Sequence, residues 1–314
     1  MPLDPIMKAF IDQMALQPAP KMHELPASAA RMMFAAIMEM TGPKDVPIGK
    51  VANLVCPGPG GDIPLRIYTP VAPAAEALPA LLFFHGGGFV IGNIDTHDGL
   101  CRMIANEAGV RVIAVDYRLA PEHKYPAAIE DAYAALSFVE ANASELGVDA
   151  NRIAVGGDSA GGQMTAVLTQ MTKAKGGPSI AFQLLFFPVT QIGEETASLN
   201  NFGEGYVLER AGLEWFYKSY VPADADRKDP GLSPLYASSF EGLPPAYLTV
   251  AEFDPLHDEG LEYGRKLKAA GVACEIVDYP GLVHDFIYFQ SVLPQAAVAL
   301  KAAAQALKKG LKAG

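Results

Sequence analysis

Between residues 80 and 279 the apolar positions gather into short runs at 80–84, 112–116, 152–155, 182–187, 246–250 and 274–279. Each run is rich in β-branched or aromatic side chains, as buried strands are. Stretches between them, such as 126–141 and 256–270, carry helical patterns. Short buried strands alternating with helices predict an α/β fold, a mainly parallel sheet covered on both faces. Upstream, 51–56 and 62–69 read as two strands of a hairpin, with Pro57-Gly58-Pro59-Gly60-Gly61 as its turn. Residues 6–40 show three- and four-residue apolar spacing through Ile6, Phe10 and Met14, then Met33, Ile37 and Met40. That spacing predicts two helices joined by a turn around Pro18 and Pro20. Residues 191–221 break the strand–helix rhythm; they hold the sole Trp and a short helix, Arg210–Tyr220, and read as an insertion.

Composition narrows the class. A chain of 314 residues that is 50% apolar and 19% charged can bury a full core and is not disordered. Its net charge of −11 argues against nucleic-acid partners, which demand a basic face. Three cysteines, Cys56, Cys101 and Cys274, lie far apart and fit buried thiols in a reducing compartment. The first residues lack a basic region followed by an apolar run, and no stretch approaches the ~18 apolar residues of a membrane span. The expectation is a soluble, cytoplasmic protein without an integral membrane segment; a homo-oligomer is compatible with it. Of the 11 methionines, 8 lie in the first 40 positions.

The most informative segment is Gly156-Gly157-Asp158-Ser159-Ala160-Gly161-Gly162. It follows the strand at 152–155 and precedes a helix-compatible run at 163–172, the setting a G-x-S-x-G nucleophile elbow requires. Such a turn must lift the serine hydroxyl clear of the sheet, so side chains two residues either side must be absent. A phosphate-binding loop is the competing reading, but neither G-x-G-x-x-G nor G-x-x-x-x-G-K-[ST] occurs. A second cluster, His85-Gly86-Gly87-Gly88-Phe89, follows the strand at 80–84. Consecutive glycines there leave amides unshielded, as an oxyanion hole needs, with the Ala160 amide as partner. A flexible surface loop is the plainer alternative.

A serine nucleophile needs a base and an orienting acid, in the chain order Ser, Asp or Glu, His. His23, His85, His97 and His123 precede Ser159, leaving His257 and His284. His284 falls just past the strand at 274–279 and is the better base, whereas His257 reads as a surface or capping residue at a helix start. Asp254 follows the strand at 246–250 and precedes Pro255, which favours a loop placement. Glu252 and Asp258 stand nearby as rivals, and Asp254 as a simple helix cap is the structural alternative.

Taken together these motifs resemble the bacterial hormone-sensitive-lipase-like carboxylesterases of the α/β-hydrolase superfamily. The resemblance covers nearly the whole chain, through His85-Gly86-Gly87-Gly88, Asp116-Tyr117-Arg118-Leu119-Ala120-Pro121-Glu122, the elbow, Asp254-Pro255-Leu256 and the loop ending at His284. It implies an α/β-hydrolase fold with a helical cap, and a carboxylesterase acting on small-molecule esters. Ser159 would be the nucleophile, His284 the base and Asp254 its partner, with the amides of Gly87, Gly88 and Ala160 as oxyanion donors. The cap would comprise residues 1–45 and 191–221, and the catalytic domain 46–190 and 222–314.

Three positions depart from the family's usual residues: Gln163 for Asn, His257 for Arg, and Asp285 for Gly. No metal cluster or cofactor motif is visible. A non-catalytic receptor on the same fold would be expected to lack the base or nucleophile, whereas an amide or peptide hydrolase would share the triad. Phe202, Tyr206, Leu208, Trp215 and Phe216 of the insertion, with Met33 and Phe34 of the first segment, are candidates to line a substrate pocket or simply to bury the cap.

Overall fold

The computed structural model describes residues 2–16 and 20–312; of the turn expected around Pro18 and Pro20, Pro18 lies outside them. Its strands are β1 (Lys50–Gly58), β2 (Gly61–Thr69), β3 (Leu78–Phe84), β4 (Arg111–Val115), β5 (Val148–Asp158), β6 (Phe182–Phe186), β7 (Ala246–Phe253) and β8 (Cys274–Val283). The α-helices are α1 (Pro5–Ala15), α2 (Ala27–Thr41), α3 (Asp98–Ala108), α4 (Ala127–Ala141), α5 (Ala160–Lys175), α6 (Ala197–Phe202), α7 (Arg210–Tyr220), α8 (His257–Ala269) and α9 (Pro294–Gly310). The strands form an 8-stranded sheet in the order β1-β2-β4-β3-β5-β6-β7-β8. β2 runs antiparallel to β1 and β4, and every other neighbouring pair is parallel. Parallel neighbours need crossovers, and the helices supply them. Every residue of β3 and β6 is buried, as in strands covered on both faces, while β1 at the edge is mostly exposed.

Three strands run past their apolar cores. β5 begins at Val148 with the polar stretch Asp149–Arg152, β7 continues to Phe253, and β8 to Val283. Pro280 and Gly281 read as loop residues because they break ladders, yet Gly281 is tied into the sheet end. Its amide donates to Glu252 Oε2 at 2.7 Å, and its carbonyl accepts from Asp4 N at 2.8 Å. The hairpin turn is tighter than the glycine run suggested: β1 and β2 pair out to Gly58 opposite Gly61.

Helices α3, α6 and α9 add to the helices expected from the sequence. α3 buries only one stripe, Leu100, Cys101, Ile104, Ala105 and Ala108, and α9 packs mostly alanines. The thiols of Cys56, Cys101 and Cys274 are free. No helix of the described residues is long and apolar enough to cross a membrane.

The two N-terminal helices are anchored by specific contacts. Asp4 caps α1 by accepting from Ile6 N and Met7 N, with Pro5 preset at the first helical position. Phe10 packs edge-on against Phe289 at 4.9 Å. On α2 the stripe Ala30, Phe34 and Met38, spaced by four residues, faces inward. Arg31 donates to the carbonyls of Val90 and Ala120 and pairs with both oxygens of Glu122. Helices α6 and α7 lie between β6 and β7 in sequence, and Lys21 reaches across to Glu209 at 2.5 Å.

Candidate active site

Four site residues are each the first residue beyond a strand: His85 after β3, Ser159 after β5, Asp254 after β7 and His284 after β8. The sheet order brings these carboxyl ends together, where open α/β sheets build their sites. Ser159 Oγ lies 3.0 Å from His284 Nε2, and His284 Nδ1 lies 2.6 Å from Asp254 Oδ2. All three residues are buried, Ser159 being 7% exposed.

The elbow geometry follows from its glycines. Ser159 sits at φ 52°, ψ −114°, a strained backbone for a residue with a side chain. Its amide donates to Phe186 O at 2.9 Å, and its carbonyl accepts from Gln163 N and Val189 N. A Cβ at Gly157 or Gly161 would collide with the carbonyl oxygen of Phe84, so both flanking positions must stay bare. α5 begins at Ala160, and its first amides and positive dipole end face the serine.

The glycine loop is oriented peptide by peptide. In a trans peptide the carbonyl and the next amide point in opposite directions. Gly86 O is held by His85 Nδ1 at 2.7 Å, so the Gly87 amide points the other way. Gly87 O accepts from Val90 N and Ile91 N, both at 3.0 Å, which turns out the Gly88 amide. The amides of Gly87, Gly88 and Ala160 donate to no acceptor among the described residues. Burial, with His97 alongside, pushes His85 down to about 3, so its ring is neutral and Nδ1 carries the donated proton.

Asp158 was legible only as the residue before the serine. Its Oδ1 accepts from Gly86 N at 3.0 Å and so pins the start of the glycine loop to the elbow. His97 approaches the same oxygen at 3.6 Å. Adjacency to Ser159 is the one signal in the sequence; the pairing spans 72 residues.

The rivals to Asp254 fall elsewhere. Asp258 lies in α8 and accepts from Ser198 N, and Glu252 binds Gly281 N. Asp254 does make a local turn, its Oδ1 accepting from Leu256 N at 2.8 Å, while its other oxygen meets His284. His257 is the first residue of α8 and not its cap; partly exposed, it sits between Asp258 (3.2 Å) and Asp278 (3.1 Å). Burial opposes its protonation, but those two carboxylates raise its pKa. Gln163 donates to the carbonyls of Gly231 and Leu232, which a shorter amide would not span.

Burial alone would favour neutral His284, but the charges of Asp254 and Asp285 outweigh it and raise the imidazole to about 9. Asp285 adopts left-handed backbone, φ 62° and ψ 13°, which explains why glycine suits this position and why Asp is tolerated.

Among the aromatic candidates, the Phe216 ring covers Gly88, where any Cβ would strike it, and Trp215 packs on Phe216 at 5.0 Å. Phe202 and Tyr206 pack on Phe253, the neighbour of Asp254, at 5.2 and 5.3 Å. Phe34 reaches within 6.3 Å of His97; Leu208 and Met33 are half-buried. A cavity of about 650 Å³ between α2 and α3 reaches Tyr288, but Ser159 is not in its lining. No cluster of three or more His, Cys, Asp or Glu side chains among the described residues is arranged to hold a metal ion.

Residues 81–288 match the family model described as the alpha/beta hydrolase fold. The chain is 45% identical over 266 residues to the carboxylic ester hydrolase LipN of Mycobacterium tuberculosis, covering 82% of this chain and 70% of the relative. It is 40% identical over 293 residues to an ethyl acetate hydrolase of Pseudomonas putida, covering 92% of each. Among solved structures, an alpha/beta hydrolase enzyme from the metagenome of Lake Arreo, Spain, matches with a TM-score of 0.96 at 42% identity over 99% of both chains. A hyperthermophilic esterase from the archaeon Pyrobaculum calidifontis matches with a TM-score of 0.93 at 39% identity, over 98% of this chain and 99% of that one. Sequence, fold and hydrogen-bonded strand ends agree, and the chain belongs to the hormone-sensitive-lipase-like carboxylesterases of the α/β-hydrolase fold, serine enzymes that hydrolyse carboxylic esters.

Proposed function

We propose that Ser159 is the nucleophile, His284 the general base and Asp254 its orienting acid in the hydrolysis of short- to medium-chain acyl esters. What carries this is the unbroken line of contacts from Ser159 Oγ to Nε2 (3.0 Å) and from Nδ1 to Asp254 (2.6 Å). Asp254 accepts from Nδ1–H, so the lone pair on Nε2 faces the serine. As Oγ attacks the ester carbonyl carbon, Nε2 takes its proton, and the carbonyl electrons move onto oxygen. The amides of Gly87, Gly88 and Ala160 receive that anion. Collapse breaks the bond to the alcohol, whose oxygen takes the proton from Nε2. Water then repeats the sequence on the acyl-enzyme, releasing the acid.

Helices α1 and α2 with residues 191–221 serve as the cap in this proposal. Phe202, Tyr206, Leu208, Trp215, Met33 and Phe34 are its candidate lining. The contacts of Phe216 with Gly88 and of Arg31 with Val90 support a cap seated on the oxyanion loop.

Ser159→Ala should lower kcat/KM for 4-nitrophenyl butyrate by about four orders of magnitude or more, the scale of losing a triad nucleophile. Wild-type rates along the 4-nitrophenyl ester series from acetate to laurate should peak at the short to medium chains. Wild-type turnover in the alanine variant refutes the assignment.

A further inference from the structure

The carboxylate of Asp285 has no role in the mechanism above. Its Oδ1 lies 3.5 Å from His284 Nε2, the nitrogen that faces Ser159, and not beside the nitrogen held by Asp254. Its side chain is 27% exposed, whereas His284 and residues 286–289 are buried. The backbone carbonyl of Asp285 accepts from Tyr288 N, but its carboxylate accepts no hydrogen bond from the described residues. Asp254 is filled by His284 and Leu256 N, and Asp158 by Gly86 N. An accessible carboxylate with its acceptor capacity unused therefore stands beside the reacting nitrogen.

The chemistry of Nε2 says which side of the ester it faces. Nε2 delivers its proton to the departing alcohol oxygen, which must sit within hydrogen-bond reach of it. A carboxylate oxygen 3.5 Å from the same nitrogen lies next to the leaving alcohol. There it repels the charge that builds on a plain alkoxide, and attracts a positive charge a few bonds further along the alcohol chain. Partial burial pushes Asp285 up to about 6, with His284 pulling the other way, so the group is ionised at pH 8.

We propose that Asp285 makes the alcohol side of this site selective for esters whose alcohol carries a cationic nitrogen close to the ester oxygen. The proposal rests on the assignment of Ser159 and His284 above.

The test uses two acetates of equal acyl group and shape, choline acetate and its uncharged isostere 3,3-dimethylbutyl acetate. For the full-length enzyme at pH 8 and low salt, kcat/KM should favour the choline ester. Asp285→Asn, which suits the same left-handed backbone, should lower that ratio about tenfold, the scale of opposite charges several ångströms apart at a partly exposed site. Any shift in the titration of His284 acts on both esters and cancels in the ratio. Asp285→Glu, which keeps the charge, should retain part of the preference. A wild-type ratio of one or below, or a ratio unmoved in Asp285→Asn, overturns the proposal. Loss of the preference in Asp285→Asn with the uncharged ester still cleaved supports it, because a merely structural role would slow both esters alike. A wild-type enzyme that cleaves 4-nitrophenyl butyrate but neither acetate overturns the substrate class alone. Wild-type turnover by Ser159→Ala overturns the underlying catalytic assignment instead.

Discussion

The ring of His284 meets a carboxylate at each nitrogen, Asp254 at 2.6 Å and Asp285 at 3.5 Å, with Asp158 farther off and the edge of Phe187 packed 4.8 Å away. As the proposed base, His284 works only when neutral, so kcat/KM should rise with pH through its titration. Removing the Asp285 charge lowers that pKa, and Asp285→Asn should move the acidic limb of the kcat/KM profile down by about one pH unit. A pH series on an uncharged ester checks this, and an unmoved or upward-shifted limb contradicts it. Asp285 was visible in sequence as a departure from the usual glycine. Its consequence needed the positive φ and the 3.5 Å approach, which depend on how β8 ends.

At the scale of elements, α8 does more than follow the acid. Glu259, in its first turn, is buried and accepts from the amides of Thr190 (2.7 Å) and Gln191 (3.2 Å), just past the end of β6. Burial raises its carboxyl to about 8 despite those two donors. The sign follows directly. Between its unfolded value near 4.5 and about 8 the folded chain binds more protons than the unfolded one, so this group's stabilisation is complete below that window and is lost as pH rises through it. Glu259→Gln keeps an acceptor oxygen without the titration. Its Tm relative to wild type should therefore be higher at pH 9 than at pH 4, and thermal melts at both pH values test this. A Tm difference that does not change with pH counts against the assignment. Nothing in the apolar pattern marked Glu259, because its acceptor role is set by residues 68 and 69 positions away in the chain.

For the whole molecule, the methionine-rich start is where sequence and packing part most clearly. Met7 and Met38 are buried, but Met14, Met32 and Met40 are 47%, 69% and 63% exposed. The cluster is thus no single apolar face; flexible thioethers fill gaps under α1 and α2 and also dress their outer surface. The inward stripe of α2 and the hydrogen bonds from Arg31 to Val90 and Ala120 tie these helices to the segment that orients Gly87. Removing residues 1–40 should expose apolar surface, read as increased dye binding, and should alter the acyl-chain profile along a nitrophenyl ester series. A soluble truncated enzyme with an unchanged profile would leave the segment without a part in substrate selection.

Apolar period and motif chemistry by themselves determined much of this protein. The runs that became β3 to β7, the hairpin and the helix Arg210–Tyr220 were readable because burial on two faces demands continuous apolar side chains and helix faces demand a 3.6-residue period. The β8 run, expected to be buried, lies instead at the sheet edge with residues 274–280 partly or fully exposed. The elbow, the glycine loop and the Asp254 and His284 pair were readable because backbone geometry and proton transfer admit few residue types at those points. Tertiary structure alone decided what depended on distant partners. It carried β8 on to Val283, gave Asp158 the Gly86 amide, set His257 between two carboxylates and stood Asp285 beside Nε2. Hydrogen bonds and charges act over a few ångströms of space. Which residues share those ångströms is a property of the folded sheet and not of neighbourhood along the chain.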